Sequence, residues 1–361
     1  MLKLASSTVT EAGGNQRLHA CSISWSASGT YLAMGTSDRM ARLWSIQDQQ
    51  QHASASSSTA AAREILTLAD HTGPVDRVRF HSSQEFLLAT AGDSTVRLFD
   101  VRGASSKPVG KIDLAANNKG NSGGGGGGAT DIAWSPKPHI LAVTDRNGTV
   151  HVLDTRKLSS NQLYVDACIF SPSSHHLVAA TSSDGYGEIT AWNWEEEIDP
   201  NDNTGDGGGS SSSSNHKYVY PAHTGPIYSM SFSPNGNRLA TGGGDALVGL
   251  WDVDSMVCTN TITRCSRFIR SVSFSHDSQI VATSTEEDGL DFAMADTGEL
   301  VGKVSMTATI TPGGRSRTAT SGPAGADEIA FHPKIHLLAC ARCDSVSFAP
   351  LTLVRIKTER V

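Results

Sequence analysis

Nowhere in this 361-residue chain does an apolar run reach the length of a membrane span, and the first residues, MLKLASSTVTEAGG, hold no apolar core of signal-peptide length. Neither a membrane partner nor a secretory leader is expected; the reading is of a soluble, intracellular protein. Positive charge is also scarce: 29 Lys and Arg stand against 36 Asp and Glu, a formal net charge of -7. That balance excludes nucleic-acid binding over the whole surface, because counterion release needs clustered cations; only a local basic patch stays open. No Lys/Arg-rich import signal is present either.

Paired cysteines are missing as well. The six, at 21, 168, 258, 265, 340 and 343, have no spacing of a secreted disulfide framework, so reduced thiols are expected. Cys340-Ala-Arg-Cys343 is a lone C-x-x-C with no second pair and no histidine at ligand spacing, and packing explains it better than zinc or redox chemistry. His175-His176 is read the same way, since adjacent residues of a strand face opposite sides. The glycines of NNKGNSGGGGGGAT precede a strand rather than a helix, which a phosphate-binding loop would require. No metal, cofactor or small-molecule substrate is expected.

What the chain does have is a period. An aromatic, followed by Ser or His, recurs at Trp25, Phe80, Trp134, Phe170, Phe232, Phe274 and Phe331. Thirteen residues past this anchor stand Asp38, Asp93, Asn147, Asp245, Glu287 and Asp344, with Asp184 one place late in the fourth copy. Six residues further on come Trp44, Phe99, Leu153 and Trp251, followed by Ser45, Asp100, Asp154 and Asp252; the sixth copy reads Ala293-Met294 there. Between these points lie apolar or small-residue runs bounded by turn residues, the signal for short antiparallel strands. The anchor is expected to end an inner strand, and the acidic residue to sit in the tight turn between the second and third strands.

His223 lies twenty-two residues before Asp245, and His71 the same distance before Asp93. With the Thr241 hydroxyl and the Trp251 indole, His223 and Asp245 can form a chain in which each buried polar group has a partner. A His-Thr-Asp set also has the residue types of a nucleophilic triad. Its partial recurrence along the chain favours a structural role, and no catalytic residue is expected.

The repeat resembles the WD40 family, whose units fold as four-stranded blades of a β-propeller. The resemblance implies an all-β, seven-bladed propeller, one domain over 1–361. Three stretches, RLATGGGDALVGLWDVDSMVC, RSVSFSHDSQIVATSTEEDG and EIAFHPKIHLLACARCD, resemble in particular the WD40 subunits of THO, an assembly that couples transcription to mRNA processing and export. This implies a nuclear, non-enzymatic scaffold whose partners are other THO subunits, a large helical one among them, with RNA reached indirectly. Other classes stay open: an adaptor of another assembly, such as a ubiquitin-ligase substrate receptor or a chromatin reader, or a direct RNA binder.

Low-complexity composition marks flexible insertions at 47–62, 117–130, 199–214 and 305–326, the last carrying Arg315 and Arg317. The approach to the fourth blade, NQLYVDACIF, leaves little room for a full preceding outer strand. For closure, Leu2, Leu4 and Thr8 to Thr10 can supply the outer strand of the last blade beside 352–356; the alternative uses 346–349 and 351–355 as its third and fourth strands. Arg264, Arg267 and Arg270 are the candidate partner contact, able to meet an acidic helix or RNA phosphate, or to pair with Glu286-Glu287-Asp288 of the same blade.

Overall fold

The structure is a computed structural model and describes residues 2–12, 19–48, 60–103, 106–114, 128–137, 139–145, 149–156, 159–164, 167–172, 176–183, 185–193, 217–287, 289–306, 325–342 and 351–360. Its described residues form seven four-stranded antiparallel sheets, the blades of a propeller. The innermost strands are Ala20–Trp25, Val75–Phe80, Ala129–Trp134, Ala167–Phe170, Ile227–Phe232, Ile269–Phe274 and Ala326–Phe331, so each ends on an anchor aromatic. We number the blades 1 to 7 in that order.

The second strand of each blade is pressed between the faces of both neighbours, which explains its composition. Tyr31–Thr36, Leu87–Gly92, Ile140–Asp145 and Arg238–Gly243 are buried at every position after the first. Such strands read as continuous small and apolar runs rather than as an alternation. Blades approach too closely for larger residues: a Cβ on Gly242 would lie 2.4 Å from the Ile269 side chain of blade 6. The core is accordingly divided among the spaces between blades. Leu43, Val75 and Phe80 fill the space between blades 1 and 2, and Ile189, Leu239 and Trp251 that between blades 4 and 5. Burying one such side chain stabilises by about 1.5–3 kcal/mol, so the ring is held mainly by contacts each blade makes with the next.

Polar stitching on the innermost strands adds direction to this packing. The Ser22 hydroxyl accepts the Val78 N–H at 3.2 Å, and Ser24 accepts that of Phe80 at 2.9 Å, across blades 1 and 2. Ser229 does the same for Val272 between blades 5 and 6; Ser271 and Ser273 serve Ile329 and Phe331 between blades 6 and 7. Where blade 7 meets blade 1 the acceptor is Glu328, whose carboxylate takes the Ile23 N–H at 2.9 Å. Blade 2 has Arg77 at this position, which cannot accept, and the Ile132 N–H of blade 3 is met instead by its own neighbour Asp131 at 2.9 Å. In six blades a bulge four residues before the anchor interrupts the inner pair, as between Ile227 and Ser229, leaving Tyr228 without a partner residue.

The ring closes through Leu2–Ala12, which pairs antiparallel with Leu351–Arg360 and completes blade 7. This is the first of the two closures above. It covers an edge that would otherwise offer unpaired backbone groups. One expectation is corrected: blade 3 has a full outer strand before blade 4, because Ser159–Tyr164 pairs with Thr149–Asp154 at six consecutive positions. The short approach suffices since only four residues separate Asp154 from its partner Ser159 and the link into blade 4 is only two residues long. Strand Ala41–Asp48 and strand Ala60–Leu68 also take in both ends of the 47–62 insertion, and 129–130 belong to an inner strand. Residues 49–59, 115–127 and 307–324, all of 199–214, Asn147, His175, Asp184, Cys343, Asp344, Arg315, Arg317 and segment 346–349 lie outside the described residues.

Candidate functional site

His223 ends the outer strand of blade 4, while Thr241, Asp245 and Trp251 belong to blade 5. His223 Nδ1 lies 3.0 Å from Asp245 Oδ1, and its Nε2 lies 2.7 Å from Thr241 Oγ1. Trp251 Nε1 donates to the same hydroxyl at 3.0 Å. One assignment satisfies every atom: the indole N–H donates to Thr241, the Thr241 O–H donates to Nε2, and Nδ1–H donates to the carboxylate. Burial pushes the Asp245 carboxyl up, but the His223 hydrogen bond and the Leu247 and Thr224 N–H groups outweigh it and hold it below the usual range. Thr241 is fully buried and its oxygen carries both the indole bond and the histidine bond, so no substrate reaches it. The set latches one blade to the next.

Glycine is required beside it. A Cβ on Gly249 would lie 2.7 Å from Trp251 Nε1 and 2.9 Å from Thr241 Oγ1, inside the hydrogen bond itself. Gly249 stands seventeen residues past the anchor Phe232, and in four other blades this position holds a large polar side chain: Arg42, Arg97, His151 and Asp291. These residues rewrite the polar set blade by blade. In blade 1, Arg42 Nη1 donates to Thr36 Oγ1 at 2.5 Å and to Asp38 Oδ1 at 3.0 Å. The threonine oxygen is thus taken, and the buried Trp44 Nε1 has no acceptor among the described residues. In blade 3, His151 Nε2 meets Asp145 at 3.2 Å, both buried.

Blade 2 shows the consequence most fully. His71 Nε2 lies 2.8 Å from Thr90 Oγ1, but Arg97 enters between His71 and Asp93, bonding His71 Nδ1 and leaving the carboxylate 3.8 Å away. Since Arg97 only donates, Nδ1 accepts and Nε2–H donates to Thr90, the opposite tautomer from His223. Phe99 stands where blade 5 has its tryptophan, so no indole competes for the Thr90 oxygen. Burial and the Arg97 charge lower the His71 pKa to about 4. Asp93 accepts from Thr72 N at 3.0 Å and Thr95 N at 2.9 Å; against the effect of burial, the Thr95 and Thr72 bonds and the Arg97 charge hold its carboxyl far below the usual range. Arg97 also bonds Asp70 at 2.5 Å. The spacing of anchor and acidic turn made these histidines visible; the residue seventeen past the anchor, which decides their tautomer, was passed over.

At the axis, the inner strands enclose a cavity of about 560 Å³. Arg79 spans it, reaching Glu328 of blade 7 at 2.8 Å and Asp131 of blade 3 at 3.7 Å, while Arg77 lies 3.4 Å from Asp131. Burial raises the Glu328 pKa, yet the Arg79 and Arg77 charges outweigh it and keep the carboxyl low. These charges answer one another across the ring at two of the junctions that lack the serine contact.

Arg264 and Arg267 occupy the connection into blade 6 and Arg270 lies on its inner strand, and each finds a carboxylate. Arg264 Nε donates to Asp291 at 2.8 Å and its Nη1 to the Gly298 carbonyl at 2.8 Å. Arg267 Nε lies 3.7 Å from Glu287, and Arg270 pairs with Glu286. Their side chains are 25%, 62% and 42% exposed: Arg264 belongs to the blade, Arg267 is exposed on the connection, and Arg270, in the inner strand Ile269–Phe274, is among the residues lining the axial cavity. Beside them the exposed rings of Tyr228 and Phe268 lie 6.1 Å apart. A cluster the sequence reading missed is His276, Asp277 and His336, in neighbouring turns of blades 6 and 7. Overlaying the turns after Phe274 and Phe331 would have found it. No described helix is long and apolar enough to cross a membrane.

The family model for the WD domain, G-beta repeat, matches residues 14–45, 62–100 and 214–252, which carry blades 1, 2 and 5 with their Trp44, Phe99 and Trp251 positions. The chain is 28% identical over 340 residues to THO complex subunit 3 of Arabidopsis thaliana, covering 92% of this chain and 88% of that protein. It is 24% identical over 279 residues to WD repeat-containing protein AAC3 of Dictyostelium discoideum, covering 73% and 52%. With Protein TEX1 of Saccharomyces cerevisiae it shares 21% identity over 304 residues, covering 71% and 68%. Seven four-stranded blades make this chain a seven-bladed β-propeller, and three of those blades carry matched WD40 repeats.

Proposed function

We propose that this propeller is a non-enzymatic scaffold subunit of a THO-type assembly, acting in the nucleus in mRNA processing and export. The observation that carries the reading is the likeness to THO complex subunit 3, which spans most of both chains rather than a single repeat. The polar sets add support: the histidines, threonines and aspartates with triad chemistry are consumed in latching blades, and a rigid ring of sheets presents its turns as binding surfaces.

The docking partner in this reading is a large helical subunit, and the contact is Arg267 and Arg270 with the neighbouring Tyr228 and Phe268 rings. Exposed Arg–Glu pairs are worth little by themselves, so an acidic helix can displace Glu286 and Glu287 at small cost. RNA is reached through the assembly. Co-expression with a large helical THO subunit should give a complex that co-elutes on size exclusion. Separate elution of the two, with this chain folded, would contradict the proposal.

A further inference from the structure

The turn joining the first two strands of blade 6 lies against the matching turn of blade 7, at the end of the ring opposite the Asp245 and Asp93 turns. There the His276 and His336 rings meet at 4.7 Å between centroids, inclined at 62°. His336 Nε2 lies 3.2 Å from Asp277 Oδ2. Asp277 is itself fixed: its Oδ1 accepts the Ser275 hydroxyl at 2.6 Å and the Gln279 N–H at 3.2 Å. His276 Nδ1 is shut from water and has no hydrogen-bond partner among the described residues. One ligand atom from each of the three residues falls within 4.8 Å of the others.

We propose that His276, Asp277 and His336 form a divalent transition-metal site, of the class that Zn²⁺ fills, clamping blade 6 to blade 7. Two imidazole nitrogens and one carboxylate oxygen suit zinc and its neighbours, whereas Mg²⁺ and Ca²⁺ want oxygen ligands throughout. Zinc bonds of about 2.0–2.1 Å put tetrahedral ligand atoms about 3.4 Å apart, so the side chains must draw together by up to about 1.4 Å. Small rotations of half-buried side chains on turns supply that movement. The Ser275 and Gln279 bonds orient the carboxylate as outer-shell partners do in established sites. Three protein ligands leave a fourth position for water or for a side chain of another protein.

The test is calorimetric titration of Zn²⁺ into the full chain, stripped with chelator and held in excess Mg²⁺. One ion per chain is expected, with affinity falling at least about tenfold in His336→Gln and in His276→Ala. Both variants should melt like the parent in chelator, and saturating Zn²⁺ should raise the melting point of the parent alone. Co²⁺ should give the parent a visible absorption band of tetrahedral type that both variants lack. No zinc binding under these conditions, or equal affinity in parent and both variants, overturns the proposal.

Discussion

Deleting the Thr241 hydroxyl strands two buried groups at once, the Trp251 indole N–H and His223 Nε2. Thr241→Val keeps the shape and should cost about 2–4 kcal/mol, read from urea denaturation, because unpaired buried donors and acceptors carry their full desolvation penalty. A change below about 0.5 kcal/mol would show that the set is not a latch. His71 gives the matching pH prediction. Its pKa falls from 6.5 to about 4 on folding, so between those values the unfolded chain binds more protons. Its contribution is therefore complete above pH 6.5 and drains as pH falls toward 4, by an amount on the order of 2–3 kcal/mol. Parent protein should lose more stability between pH 7 and pH 5 than His71→Gln does; parallel losses would refute this role. Much of this chemistry was legible as spacing, since a fixed distance from histidine to aspartate survives any loop length elsewhere. The tautomer was not, because it depends on what reaches in from the third strand: Gly249 in one blade, Arg97 in another.

Strands were readable where burial is two-sided. Runs such as Leu239 to Gly243 announce a second strand, since only small and apolar residues tolerate a neighbour on each face. Outer strands were harder, and Ser159–Tyr164 shows why: SSNQLY has no apolar pattern to read, and its place is seen in its pairing with Thr149–Asp154. The inner-strand serines carry a prediction at this scale. Ser271→Ala leaves the Ile329 N–H without its acceptor and should cost about 1–3 kcal/mol, with a larger loss when Ser273→Ala is added, since Phe331 is then stranded as well. Removing residues 2–12 should lower the urea midpoint further than either change and promote self-association on size exclusion, because the edge of Leu351–Arg360 is then bare. A monomer of unchanged midpoint would place the closure elsewhere.

For the whole molecule, seven blades burying one another's faces leave function to the rim and the two ends. The period marked seven units of short strands, and the ring was what the resemblance of those units to WD40 repeats implied. The ion cluster across the axis could not be read: Arg79, Asp131 and Glu328 stand in three different blades, and nothing in their spacing says that they meet. Reversing Arg267 and Arg270 to Glu should abolish recovery of a large helical partner without changing the melting point; undiminished recovery would move the contact off this connection. The most direct measurement of the scaffold reading is affinity purification of the tagged full chain from nuclear extract, followed by mass spectrometry. The account expects THO subunits in near-stoichiometric amounts with the parent. Recovery of cullin or histone partners without any THO subunit would contradict it.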